Sequence, residues 1–311
     1  MLSIADDLGD FMRKRKATPL HGDPIIIASV PRSGSTMLAE LLNSPQVMYY
    51  HEPFLKHNIL WNPELAQRLT TTPADEETIR TRWAAIRDQQ AWSFYRKSHS
   101  RYPYLTKGAL HKYLSLSPRR ILLKGPSLSY WLDTLLNITG PAFVILLFRD
   151  PRAITASLKR LNWDPFQRLN LIYTHPWFKN RLPTGAEDYR ERFAEMTPVE
   201  RMALQTAILH NFLIRNNQVH PDHHSVYFEE LVRSPEETLH RLVSAAGLPA
   251  DYVTPAHIQE ILNAEDRSTW QHRFRRKGTE HINKWQSTLT AFESESVLNI
   301  YTSINPKYPI N

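Results

Sequence analysis

The sequence predicts an α/β protein with a mostly parallel central sheet flanked by helices, and three observations carry that prediction. Apolar runs without polar alternation stand at Ile25–Val30, Arg120–Lys124 and Ala142–Phe148, the pattern of strands buried on both faces. Each run leads into a helix-forming stretch, at 35–43, 127–137 and 151–160 respectively. Strand and helix then alternate along the chain, which places helices on both sides of a parallel sheet.

The elements follow in order. Residues 1–22 read as a short N-terminal arm, and Val47–Tyr50 supplies a second short strand. Thr197-Pro-Val-Glu200 is a capping box with proline at the first helical position, opening a helix to about 218. Ser225–Phe228 is the next strand. Ser234-Pro-Glu-Glu237 repeats the capping design, and Gly247 is placed to cap the end of its helix. Residues 54–118 and 161–196, rich in Trp, Tyr, Arg and Pro, read as helical or loop insertions on the acceptor side of one domain spanning 1–311. The 22 prolines are scattered and no internal repeat is visible.

Composition narrows the function. Apolar residues make up 41% and charged residues 22% of the 311, an ordinary globular balance. The net charge of +7 and a pI near 9.5 suit an acidic partner, such as a nucleotide or a sulfated or phosphorylated substrate. A nucleic-acid role would rest on charge alone, with no motif behind it. There are no cysteines, which excludes disulfides, thiolate metal sites and cysteine nucleophiles. No stretch has the length of a spanning helix or the layout of a signal peptide, so the expectation is a cytoplasmic protein without a membrane span.

The chemistry begins at "PIIIASVPRSGSTMLAELL", residues 24–42. A nucleotide-binding strand, loop and helix is recognisable, but the Gly-Lys-Ser/Thr of a P-loop is missing. The loop lies at a strand's carboxyl end and a helix's start, where free N–H groups and the helix dipole favour an anion. Gly34 lets the backbone approach a ligand, the hydroxyls of Ser33, Ser35 and Thr36 can donate, and Arg32 adds a forked cation.

"PRSGSTML" resembles the 5′-phosphosulfate loop of sulfotransferases that use 3′-phosphoadenosine 5′-phosphosulfate (PAPS). "ILLFRDPRAITASLKR" resembles that family's second signature, which makes Arg149 and Ser157 the 3′-phosphate contacts. "VYFEELVRSPEETLHRLVSAAGLP" resembles its Tyr-Glu-Asp-Leu segment, and "FRRKGTEHINKW" its late Arg-Lys-Gly loop, which makes Arg276, Lys277 and Gly278 further cofactor contacts. The resemblance runs from about 24 to 290 and implies a P-loop-like sulfotransferase fold, PAPS as sulfuryl donor and PAP as product.

The departures choose the branch. Cytosolic phenol and steroid sulfotransferases carry a tryptophan where this chain has Met37, a tyrosine where it has Phe228, and a histidine where it has Gly125-Pro126 after Lys124. Carbohydrate- and protein-modifying relatives instead carry a glutamate after the second strand, and "YYHEPFLKH" matches them. The resemblance thus implies Glu52 as general base, with Lys124 and Arg32 as cations on the leaving side and no metal. Glu52 needs partial desolvation to act as base, which Pro53 and Phe54 can supply, and His51 stays open as base or as orienter of Glu52.

The expected activity is in-line sulfuryl transfer to a hydroxyl or amine of a small-molecule or carbohydrate acceptor. Trp61, Trp83, Trp92, Tyr95, Tyr102, Trp163, Tyr173 and Trp177 are expected to wall the acceptor, as aromatics do for sugars and equally for aromatic or lipid alcohols. "HPDHH" at 220–224 reads as surface histidines rather than a metal site. Two other functions stay open. One is a P-loop-like nucleotide or small-molecule kinase, and the other a non-catalytic protein that holds PAP or an acidic polymer.

Overall fold

The computed structural model describes residues 22–43, 47–87, 120–263 and 280–307. Its centre is a sheet of five strands, β1 (Ile25–Ser29), β2 (Val47–His51), β3 (Arg120–Gly125), β4 (Phe143–Phe148) and β5 (His224–Tyr227). All four pairings are parallel and the order is β2-β3-β1-β4-β5. The chain leaves β1 toward one edge for β2 and β3, then returns past β1 for β4 and β5. A crevice opens where the order reverses, at the carboxyl ends of β1, β3 and β4.

Strand pleating explains why these runs are apolar throughout. Ile26, Ala28, Met48, Tyr50, Ile121, Leu123, Val144, Leu146 and Phe148 pack into one core layer, and Ile25, Ile27, Val47, Tyr49, Leu122, Ile145, Leu147 and Val226 into another. The first face carries the helices at 76–87 and 132–139, which precede β4, and most of the helices that follow it. The second is covered by the helices beside the first loop and after β5. Period-2 alternation in direction with apolar residues on both sides is the mark of a doubly covered sheet.

The flanking helices begin with α1 (Ser35–Leu41) and α2 (Glu76–Arg87). After β3 the expected helix 127–137 is split: a 3-10 turn at Leu128–Tyr130 precedes α3 (Leu132–Thr139). Trp131, fully buried against Phe54 with ring centroids 6.2 Å apart, holds the break in non-helical backbone. Next come α4 (Pro151–Lys159), α5 (Phe166–Thr174) and α6 (Pro198–Val219). The Thr197/Glu200 capping box at the start of α6 is formed in both directions.

Phe228 opens α7 (Phe228–Arg233) rather than ending β5, so it is a helical residue and not the strand residue the sequence reading expects. The second expected capping box, at Ser234, does not form before α8 (Pro235–Ala245). Ser234 closes α7 through its N–H to Glu230 while opening α8, and its φ, ψ of −132°, 63° differ from the −64°, 158° of Thr197. Gly247, at φ 64°, ends α8 as expected: its N–H donates to Ser244 and that of Leu248 to Val243, both orphan carbonyls of the last turn. The remaining long helices are α9 (Pro255–Asn263) and α10 (Ala291–Ile304). A capping box at Thr290/Glu293 opens α10. That signal stands in the sequence and the sequence reading passes over it.

Packing of α6 on α10 buries His210 completely, with Nδ1 2.9 Å from the Tyr301 hydroxyl. Burial pushes its pKa down to about 3 from 6.5. The unfolded chain therefore binds this proton near pH 6.5 and the folded chain only near 3, so stability is expected to fall as pH drops through that window. Each pH unit crossed costs about 1.4 kcal/mol for this group alone. Urea midpoints measured from pH 7 to pH 4 check this. His210→Gln should flatten much of the slope, part of the remainder belonging to His57, which burial pushes down to about 4.

Candidate active site

Two of the three non-glycine residues with left-handed backbone, among the described residues, lie at the crevice. Arg32 has φ 70° beyond the end of β1, and Glu52 has φ 49° just after β2; the third, Asn162, follows α4. Such conformations cost on the order of 1–3 kcal/mol each and persist where the surroundings enforce them. Glu52 is enforced by its N–H, which donates 2.8 Å to the Lys124 carbonyl and so extends the β2–β3 ladder by one step.

The first loop is closed from three sides. Gly34, at φ 91°, lies so near Phe228 that a Cβ there would sit 2.3 Å from the ring. Only glycine fits, for both reasons. The Arg149 guanidinium covers the same ring at 4.3 Å and donates 2.9 Å through Nη1 to the Arg32 carbonyl. Arg32 Nε in turn donates 3.0 Å to Ser157 Oγ on α4. The two phosphate signatures, separated by more than a hundred residues, are thus in direct contact. Ser33 and Ser35 are buried in this loop and Thr36 is half-buried. Ser33 Oγ and Arg149 Nε are buried with no hydrogen-bond partner among the described residues.

Burial pushes Arg149 down to about 10, so it remains a cation at neutral pH, helped by Glu229. Burial also raises the Glu229 carboxyl, which accepts 3.1 Å from the Asp150 N–H. Asp150 caps α4 through the Arg152 N–H at 2.8 Å and pairs with the Arg152 guanidinium at 2.6 Å. Arg152 lies over Trp285 at 4.2 Å, and Lys159 pairs with Glu293 at 2.6 Å. These contacts fasten the chain after residue 280 to the helix that carries Ser157. The predicted contacts Arg276, Lys277 and Gly278 lie outside the described residues.

At the same sheet edge, Lys124 Nζ is paired with Glu52 Oε1, Lys124 being buried and the Glu52 side chain 20% exposed. His51 Nε2 is 3.5 Å from the same oxygen, and the Tyr49 hydroxyl lies 2.7 Å from His51 Nδ1. Beneath the ion pair is a narrow apolar cleft lined by Pro53, Phe54, Leu123, Leu128 and Trp131. Buried Asn58 ties the two loops together, donating 2.7 Å to the Leu55 carbonyl and 3.2 Å to Ser127 Oγ while accepting from the Tyr130 hydroxyl. Lys124 pairs in register with Ile27, so this carboxylate–ammonium pair stands one strand from the β1 loop.

Phe228, Glu229, Asp150 and Asn58 are parts of the site that the sequence reading did not assign. Their signal was indirect, since each supports a backbone or a charge. The aromatic wall needs correction. Trp83 and Tyr173 are buried core residues, and Trp177 stacks on Phe212 with centroids 6.0 Å apart. Trp61 and Trp163 are half-buried and meet edge to face with centroids 5.5 Å apart, and Arg168 lies over both rings at 4.4 and 4.3 Å. Trp92, Tyr95 and Tyr102 lie outside the described residues.

The family model described as "Sulfotransferase family" matches residues 24–252. Nodulation protein NoeE of Sinorhizobium fredii (strain NBRC 101917 / NGR234) is 27% identical over 297 residues, covering 92% of this chain; the chain spans 65% of the length of that protein. The sulfotransferase domain from the curacin biosynthetic pathway superposes with a TM-score of 0.52 at 16% identity, covering 93% of this chain and 100% of that domain. The sulfotransferase domain of the Synechococcus PCC 7002 olefin synthase gives 0.50 at 18% identity, covering 95% and 100%. At these identities the two structures speak for the fold. No helix among the described residues is long and apolar enough to cross a membrane.

Proposed function

Because the chain belongs to the sulfotransferase family, we propose that it moves a sulfuryl group from PAPS to a hydroxyl of a sugar or other hydroxylated metabolite, with Glu52 as general base. The observation that carries this reading is the contact between the two phosphate signatures, Arg32 Nε to Ser157 Oγ with Arg149 held under the Arg32 carbonyl. The site fits the donor on its own evidence. Arg149 Nε and Ser33 Oγ are buried polar atoms without hydrogen-bond partners among the described residues, and Gly34 is a cradle that any Cβ would fill.

PAPS supplies a sulfuryl group on an anhydride oxygen that departs with the electron pair as phosphate. Ser33, Gly34, Ser35 and Thr36 would hold the 5′ end of the donor, and Arg149 with Ser157 its 3′-phosphate. Glu52 takes the acceptor's proton as the new O–S bond forms, because a hydroxyl is far too weak an acid to be deprotonated beforehand. Lys124 and Arg32 set positive charge near the departing oxygen without reorganisation. Lys124 also faces Glu52, so the base is an ionised carboxylate beside an ammonium. His51 stands where it can orient that carboxylate.

Calorimetry with PAP and with AMP tests the donor. PAP is expected to bind at least about 100-fold tighter, since two charge-assisted hydrogen bonds to the 3′-phosphate contribute about 3 kcal/mol or more. Labelled PAPS with a panel of acceptors then reads transfer. ATP binding in place of PAP would indicate a kinase, and PAP binding with no transfer to any acceptor a non-catalytic holder.

A further inference from the structure

The strongest feature outside the crevice is the turn between α6 and β5. His220, Asp222 and His223 each bring one potential ligand atom there, all within 4.8 Å of one another. The turn is closed by the His223 N–H donating 3.0 Å to the His220 carbonyl, and the two imidazole rings lie 4.8 Å apart at 29°. The sequence reading treats these as surface histidines, but His223 is only 9% exposed. Its Nδ1 is buried without a hydrogen-bond partner among the described residues, which leaves that nitrogen open to a ligand.

We infer that His220, Asp222 and His223 form a binding site for one divalent transition-metal ion of the zinc type. Two imidazoles and one carboxylate are the borderline donor set that zinc takes, with water completing the tetrahedron on the exposed side of Asp222. Side-chain rotation has to bring the ligand atoms from within 4.8 Å to roughly 3.3 Å, the edge of a tetrahedron with bonds of about 2.0–2.1 Å. Asp133, on α3, lies 3.5 Å from His220 Nε2, placed to fix that ring through its second nitrogen as carboxylates do around metal-bound histidines. His220 is also the C-terminal cap of α6, a 22-residue helix whose negative end favours a cation.

The position fixes the role. The turn precedes β5 and so lies at the amino edge of the sheet, whereas Arg32 and Arg149 follow the carboxyl ends of β1 and β4. A metal here ties the α6–β5 turn to α3 and takes no part in chemistry at the crevice. Zn²⁺ titrated into the untagged, chelator-stripped chain should bind with one equivalent by calorimetry and equilibrium dialysis, and should raise the melting temperature. His220→Ala/His223→Ala should lose that equivalent and the thermal shift. His220→Ala alone, at the half-exposed position, should weaken binding at least tenfold while leaving the metal-free melting temperature unchanged. Labelled-sulfate transfer should not respond to the double variant. No equivalent in the wild type, or an equivalent retained by the double variant, overturns the site.

Discussion

Glu52→Gln is expected to slow sulfuryl transfer by roughly 10²–10⁴-fold while leaving PAP affinity unchanged. The carboxylate is held at φ 49° by the hydrogen bond from its own N–H to Lys124, and its oxygen meets both Lys124 and His51. Glutamine keeps the shape and cannot take the proton. A complication is Lys124, which is buried and would lose its counter-charge, at a cost of about 3–5 kcal/mol. Glu52→Asp separates the two effects. It retains the negative charge, so the melting temperature should recover, but withdraws the carboxylate by one methylene, so the rate should stay low. A Glu52→Gln enzyme that is stable and still fast would move the base to His51, and His51→Gln would then carry the large effect.

How much of this was legible follows from how each signal is written. The strands were, because a doubly covered sheet demands uninterrupted apolar runs, and all five appear within a residue or so of their expected ends. The loop residues Arg32 to Thr36 were legible because an anion site needs small, hydroxylated and cationic residues at a strand–helix junction, an unusual string. Glu52 and Lys124 were visible only as a resemblance. Their ion pair depends on β2 and β3 being neighbours, and nothing local in "HEP" or "LKGP" states that. Phe228 shows the limit most clearly. Read as a replaced tyrosine, it was a gap; placed at the start of α7, it is the platform between Gly34 and Arg149. The aromatic residues misled for the opposite reason. A tryptophan serves a core and a sugar wall equally well, and only burial separates Trp83 from Trp61.

Arg149→Ala should abolish the preference for PAP over AMP, lowering PAP affinity at least about 100-fold and AMP affinity little. The guanidinium is half-buried yet stays charged, with its face on Phe228, one nitrogen on the Arg32 carbonyl and a buried Nε without a hydrogen-bond partner among the described residues. Under the proposed function, an arginine so placed clamps the 3′-phosphate, while Glu229 and the Arg32 carbonyl hold it within the chain. A structural role for the same residue makes a different forecast. Removing it leaves Glu229 buried without its cation, and the loop would loosen as a whole. AMP and PAP affinity would then fall together, along with the melting temperature. Arg149→Lys sharpens the comparison. It keeps the charge that Glu229 faces but not the fork that can hold the Arg32 carbonyl and a phosphate at once. A lysine variant with wild-type stability and PAP affinity still lowered, by about tenfold or more, would assign the loss to the missing fork and not to a collapsed loop.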